Sequence, residues 1–148
     1  MKKILVINGP NLNMLGKRDP AHYGTITYAE LCAELKRRIS ALGYEAEIFQ
    51  SNHEGFIIDR IQSGGYNSIV INAGALTHYS YALRDALEIV GVPKLEVHMS
   101  DVANRDAFRR ISVITEVCDG VFTGGGADSY YQAVNAAHGL MKKEKEIE

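Results

Sequence analysis

Two residue groups in this 148-residue chain have the types and spacing for acid–base chemistry. Glu96 and His98 close the run Lys94-Leu95-Glu96-Val97-His98, and a strand's period of two would put both on one face. A carboxylate beside an imidazole orients the ring and raises its basicity, which favours a functional over a purely structural histidine. Arg18 and Tyr23 lie five apart within the aperiodic stretch Gly9–Gly24. A free phenol titrates near ~10, so only about one in a thousand is ionised at pH 7. A fixed cation close by lowers that value by roughly 1–3, enough to make the phenolate a usable base.

The stretch that carries Arg18 and Tyr23 is long for an α/β connection, and loops above about 12 residues tend to be lids or linkers. Leu12, Met14 and Leu15 as apolar anchors, with two prolines and three glycines, favour a lid. A third polar cluster, Asn72–His78, follows another apolar run; His78 reads either as a ligand-contacting donor or as an N-terminal cap. His22, His53 and His138 are scattered and read as surface or packing residues.

Other chemistries fit less well. A phosphate-binding loop of the Walker type would need Gly at 11 and Ser or Thr at 18, where the chain has Asn11 and Arg18. Gly124-Gly125-Gly126 lacks dinucleotide-fingerprint spacing and reads as a tight turn. A phosphoryl-accepting receiver would want a carboxylate at position 72, which is Asn72. There is no G-x-S-x-G elbow, and neither Ser80 nor Ser100 has an evident base nearby. Cys32 and Cys118 are far apart and belong to no ligand-like cluster, so two reduced, buried thiols and no metal site are expected.

The elements that must position these groups alternate along the chain. Lys3–Asn8 is a continuous apolar strand of the parallel, doubly buried kind. Thr27-Tyr28-Ala29-Glu30 is a capping box, with Ile26 and Leu31 as its staple, opening a helix through Leu42 that Gly43 ends. Tyr44–Gln50 is a second strand, and Ser51-Asn52-His53-Glu54 reads as a second capping box for a helix ending at Gly64-Gly65. Ser68–Asn72 is the third strand, with a helix through Leu83, Leu87 and Val90 that Gly91 and Pro93 end. Pro93–His98 is the fourth, followed by a helical turn or two within Ser100–Arg110; Asp119–Thr123 is the fifth. Ser129 is placed to cap a last helix whose lysine-rich end, about residues 142–148, is expected to fray.

Five β-α units of this size predict a single domain over residues 1–148: a flavodoxin-like, three-layer α/β/α sandwich on a five-stranded parallel sheet of order 2-1-3-4-5. In such sheets ligands bind beyond the carboxyl ends of the strands, where the order reverses. That rule brings together the loop after strand 1, Asn72–His78 and Glu96–Arg109. The composition is that of an ordinary globular protein, 46% hydrophobic and 23% charged, with a net charge of −2. Such a balance argues against a general nucleic-acid binder. No apolar run reaches the roughly 18 residues of a membrane span, and a cytoplasmic location is expected.

In its ordered motifs the chain resembles the type II 3-dehydroquinate dehydratases of the shikimate and quinate pathways. The motifs are Asn8-Gly9-Pro10-Asn11-Leu12-Asn13, Leu15–Pro20 with Tyr23-Gly24, Asn72–His78, and Glu96-Val97-His98 with Ser100, Arg105, Phe108 and Arg109. The resemblance implies a cofactor-free anti elimination of water from 3-dehydroquinate through an enolate, giving 3-dehydroshikimate, within a homododecamer of trimers. It implies Tyr23 as the base and Arg18 as the cation that lowers its pKa, both on the lid. His98, oriented by Glu96 and assisted by Asn72, would be the acid, and Asn11 would position a water at the enolate oxygen. Backbone N–H groups of Met99 and Ser100 would hold the substrate carboxylate. His78, Arg105 and Arg109 would contact ring hydroxyls or the closed lid, and Asp85 would reach in from a neighbouring subunit. The chain departs from the family pattern at Met99, at Asp101 where Asn is usual, and at Ala103-Asn104 where His-Ala is common. Asp101 adds a negative charge near the carboxylate site, so altered affinity or lid dynamics is expected. The competing expectation is a non-catalytic flavodoxin-like module that binds a small anion or nucleotide.

Overall fold

The computed structural model describes residues 1–17, 21 and 24–147, with the side chains of 145–147 excluded. Arg18 and Tyr23, the expected base and its modulator, therefore lie outside the described residues, as does His22. Five parallel strands, β1 (Lys3–Asn8), β2 (Glu45–Gln50), β3 (Ser68–Asn72), β4 (Lys94–His98) and β5 (Gly120–Thr123), form one sheet in the order β2-β1-β3-β4-β5. Four helices connect or follow them: α1 (Tyr28–Ala41), α2 (Glu54–Gln62), α3 (Tyr81–Ile89) and α4 (Ala127–Ile147). The expected strand order is the observed one.

The strand period of two divides the core between the faces. Ile4, Val6, Val70, Leu95 and Val97 pack with α1 (Leu31, Leu35, Ile39) and α4 (Tyr130, Ala133, Val134, Ala137). Leu5, Ile7, Ile69 and Ile71 pack on the other face with α2 (Ile57, Ile61) and α3 (Leu83, Leu87). Each such aliphatic side chain, removed from water, contributes about 1.5–3 kcal/mol, so both faces anchor the strand ends firmly.

Local signals explain most boundaries. Thr27 Oγ1 accepts from Glu30 N at 3.1 Å while Glu30 Oε1 accepts from Thr27 N, completing the expected capping box. Gly43, at φ 91°, makes the left-handed exit from α1. Two expected caps do not form. Ser51 Oγ accepts from His53 N, only two residues on, and the Glu54 carboxylate accepts from Ser80 Oγ across to α3. Because that tertiary bond takes Glu54, α2 starts at Glu54 with His53 as an uncapped N-cap. Ser80 Oγ also accepts from Leu83 N, so Ser80 caps α3, and the capping alternative for His78 falls. Ser129 is not a cap either: α4 starts at Ala127, and Ser129 Oγ accepts from Gly125 N at 2.9 Å. α4 continues to Ile147 through the segment expected to fray.

Candidate active site

Beyond the carboxyl ends of β1, β3 and β4 lies a cleft of about 120 Å³, partly open to solvent. Of the expected site residues, Asn11, Asn72, His78, His98, Met99, Ser100, Arg105 and Arg109 all line it. Glu96 is fully buried behind His98. Asp85 does not join them: it is exposed on α3, with no part in the lining of this chain's cleft.

Sheet parity places the polar machinery on both faces. Glu96 and His98 fall on the strand face opposite Leu95 and Val97, and His98 Nε2 donates to Glu96 Oε2. Ser112 Oγ donates to the same oxygen at 2.7 Å, and Thr115 Oγ1 donates to Oε1. Burial alone would raise the Glu96 pKa, but the His98 contact and the two hydroxyl donors outweigh it, and the carboxyl lies below its usual range. An ionised Glu96 fixes Nε2 as the protonated ring nitrogen and leaves Nδ1 for a ligand.

On the opposite face, Asn8 and Asn72 pair in register on β1 and β3, beneath Tyr130 of α4. Around the cleft, backbone geometry does the positioning. Asn11 adopts φ 70°, the left-handed region that Asn tolerates, and its N–H donates to Asn52 Oδ1 at 3.0 Å. Gln50 Nε2 reaches Gly9 O, Asn13 Oδ1 and Asn52 Oδ1, tying the end of β2 to the loop after β1. Leu12 and Leu15 anchor that loop in the core, whereas Met14, expected as an anchor, is 42% exposed. A short 3-10 turn over Leu12–Met14 keeps the side chain of Met14 on its outer side.

His78 Nδ1 donates to the Ile111 carbonyl at 2.7 Å, which leaves Nε2 as the ring's acceptor or second donor. Its ring also meets the Phe108 edge, and the Arg109 guanidinium lies 4.8 Å from the Phe108 ring centroid. The carbonyls of Met99 and Ser100 accept from Gly126 and Gly124 N–H, both at 3.0 Å, and hold the segment expected to bind a carboxylate. Asp101 turns away from the cleft: its carboxylate accepts from Ala103 N and from Asn104 Nδ2.

Sequence reasoning missed Tyr130, Ser112, Thr115, Asn52 and Gln50. Tyr130 reads as core because it shares helical spacing with Val134, Ala137 and Met141. Its hydroxyl, pointing at Asn8, has no signature in one sequence. Cys32 and Cys118, expected buried, are half-buried and free, and desolvation pushes the Cys118 thiol up to about 12.

Fold and site together define a flavodoxin-like α/β protein with a histidine–carboxylate pair at the carboxyl end of β4, beside the switch point between β1 and β3. The chain belongs to the class II dehydroquinase family, whose family model matches residues 2–138. A 3-dehydroquinate dehydratase of Thermotoga neapolitana is 57% identical over 132 residues, 89% of this chain and 91% of the relative. The corresponding Thermotoga maritima protein is 54% identical over 98% of this chain and 99% of its own. Among solved structures, the type II dehydroquinase of Butyrivibrio crossotus superposes with a TM-score of 0.90 at 48% identity. That match covers 92% of this chain and 97% of the other.

Proposed function

We infer that this chain is a cofactor-free hydro-lyase that removes water from 3-dehydroquinate, with its 148 residues acting as one catalytic domain. The observation that carries this is the His98–Glu96 pair, a proton donor supported by a buried carboxylate, opening into a cleft lined by Arg105 and Arg109. Tyr23, with its pKa lowered by Arg18, takes the proton α to the ketone and leaves an enolate. The enolate electrons expel the β-hydroxyl, which departs as water with a proton from His98, aided by Asn72. A water held by Asn11 stabilises the enolate oxygen, and electrostatic stabilisation of that kind supplies much of an enzyme's rate.

The N–H groups of Met99 and Ser100 hold the substrate carboxylate, while His78, Arg105 and Arg109 contact ring hydroxyls or the closed lid. Asp85 serves a neighbouring subunit in a dodecamer built from trimers, which accords with its exposed position on α3. None of the described helices is long and apolar enough to cross a membrane, and the reading places the enzyme in the cytoplasm.

Ultraviolet monitoring of enone formation from 3-dehydroquinate, with purified protein in EDTA, tests the reaction directly. Product formation is expected without added cofactor. Saturable binding without any enone would instead favour a small-anion-binding module.

A further inference from the structure

Beneath the cleft a chain of hydrogen bonds has a direction set by the backbone. Gly74 N–H, which can only donate, points at Asn72 Oδ1 at 3.2 Å. With that end of the amide an acceptor, the other end is the NH₂ group, and Asn72 Nδ2 donates to the Tyr130 hydroxyl at 2.9 Å. Tyr130 then turns its own proton onward, to Asn8 Oδ1 at 2.7 Å. Asn8 in turn presents Nδ2 to the Tyr28 hydroxyl at 3.4 Å. Each link fixes the polarity of the next, and Asn8 and Tyr130 are fully buried.

We propose that Tyr130 and Asn8 are positioning residues for the reaction, clamping the side-chain amide of Asn72 at the floor of the cleft in one orientation. The Gly74 contact alone is a single bond about which the amide can pivot. Tyr130 holds the second end. Asn8 commits the Tyr130 hydroxyl to act as an acceptor toward Asn72; without Asn8, the phenolic proton could turn to Asn72 and compete with Gly74 for Oδ1. Neither residue lines the cleft, and the bonds described above reach it at Asn72. The inference rests on the dehydratase reading and on the part assigned there to Asn72.

Tyr130→Phe keeps the ring and removes the hydroxyl. It is expected to lower kcat about tenfold with KM within about twofold, since an orientation needed in the transition state is lost while ground-state contacts stay. In an Asn72→Ala background the same substitution is expected to cost nothing further in kcat, because its target is gone. A lowered Tm with unchanged kcat would assign Tyr130 to packing alone, and additive losses in the Asn72→Ala background would equally overturn the proposal. Should Tyr130→Phe fail to fold, the pair Asn8→Leu/Tyr130→Phe replaces both partners by apolar groups and is read in the same way. Absence of turnover by the unsubstituted protein defeats the dehydratase reading instead. The clamp is then judged by the crystal structure of Tyr130→Phe: a rotated or divided Asn72 amide supports it, and one unchanged orientation overturns it.

Discussion

Glu96 receives His98 Nε2 on the same oxygen that accepts Ser112 Oγ, and its other oxygen accepts Thr115 Oγ1. Every partner of this buried carboxylate is a donor. A carboxylate accepts from all three at once and carries a charge for His98, whereas an amide could satisfy them only by turning a hydroxyl round to accept its NH₂.

Glu96→Gln aims an NH₂ group at one of those donors. Turnover is expected to fall roughly 100-fold, because His98 loses both its orientation and its counter-charge. The stability effect depends on pH with a definite sign. The folded-state pKa of Glu96 lies below its usual value, so its contribution is full above the unfolded value near ~4.3 and is lost as pH falls through the folded value. Thermal unfolding of both proteins across pH checks this: the Tm gap should be widest near neutrality and should close in acid.

Asp101 departs from its family's pattern together with Asn104, and the two side chains hydrogen-bond to each other. The altered affinity or lid dynamics expected from Asp101 is thus set against a local hydrogen bond that its carboxylate accepts from Asn104 Nδ2. Asp101→Asn keeps an acceptor for Ala103 N and should change KM for 3-dehydroquinate by less than about twofold. A several-fold fall in KM would show that the charge is felt at the bound carboxylate. Asp101→Ala, which removes the cap of the turn over Val102–Asn104, should destabilise by about 1 kcal/mol in denaturant titrations.

A methyl group on Gly9 would lie 2.3 Å from the Ala73 carbonyl oxygen, a backbone atom that cannot swing aside. Gly9→Ala should destabilise by about 3 kcal/mol or more, measured by urea unfolding, and should shift the cleft floor.

Tyr23→Phe should reduce turnover by about 1,000-fold while 3-dehydroquinate binding stays measurable by calorimetry, because the proposed mechanism makes the phenol the base. Arg18→Ala should raise the pH at which kcat/KM climbs, since in the proposed mechanism the ascending limb reports ionisation of Tyr23 and Arg18 is the cation that holds it at lower pH. An unmoved limb would remove Arg18 from this role.

The sheet was readable from sequence because β1 and β3 are runs of apolar residues with no competing period, and β4 alternates with a strand's period of two. The site was readable in outline because the switch-point rule gathers three distant clusters without needing any side-chain detail. Where expectation failed, a different hydrogen bond had taken the capping group. Glu54 is three residues from Ser51 but bonds Ser80, and Ser129, inside the first turn of α4, accepts from the N–H of Gly125 just before the helix. The hydroxyls on Glu96 come from a segment with no periodic pattern, so nothing local marks Ser112 or Thr115 as its partners. Tyr130 was hidden by a dual nature: a ring that belongs to the core and a hydroxyl that belongs to the site.

Gly9 rests against Ala73, and Gly74 against the Pro10 carbonyl, where an added methyl would come within 2.9 Å. The loops after β1 and β3 thus touch main chain to main chain, each needing a glycine at the other's closest point. Neither loop can be transplanted from a relative by itself, since a graft that brings any side chain to one contact is blocked by the untouched partner. For engineering, and for recombination between relatives, the two loops form a single heritable block, although more than 60 residues separate them.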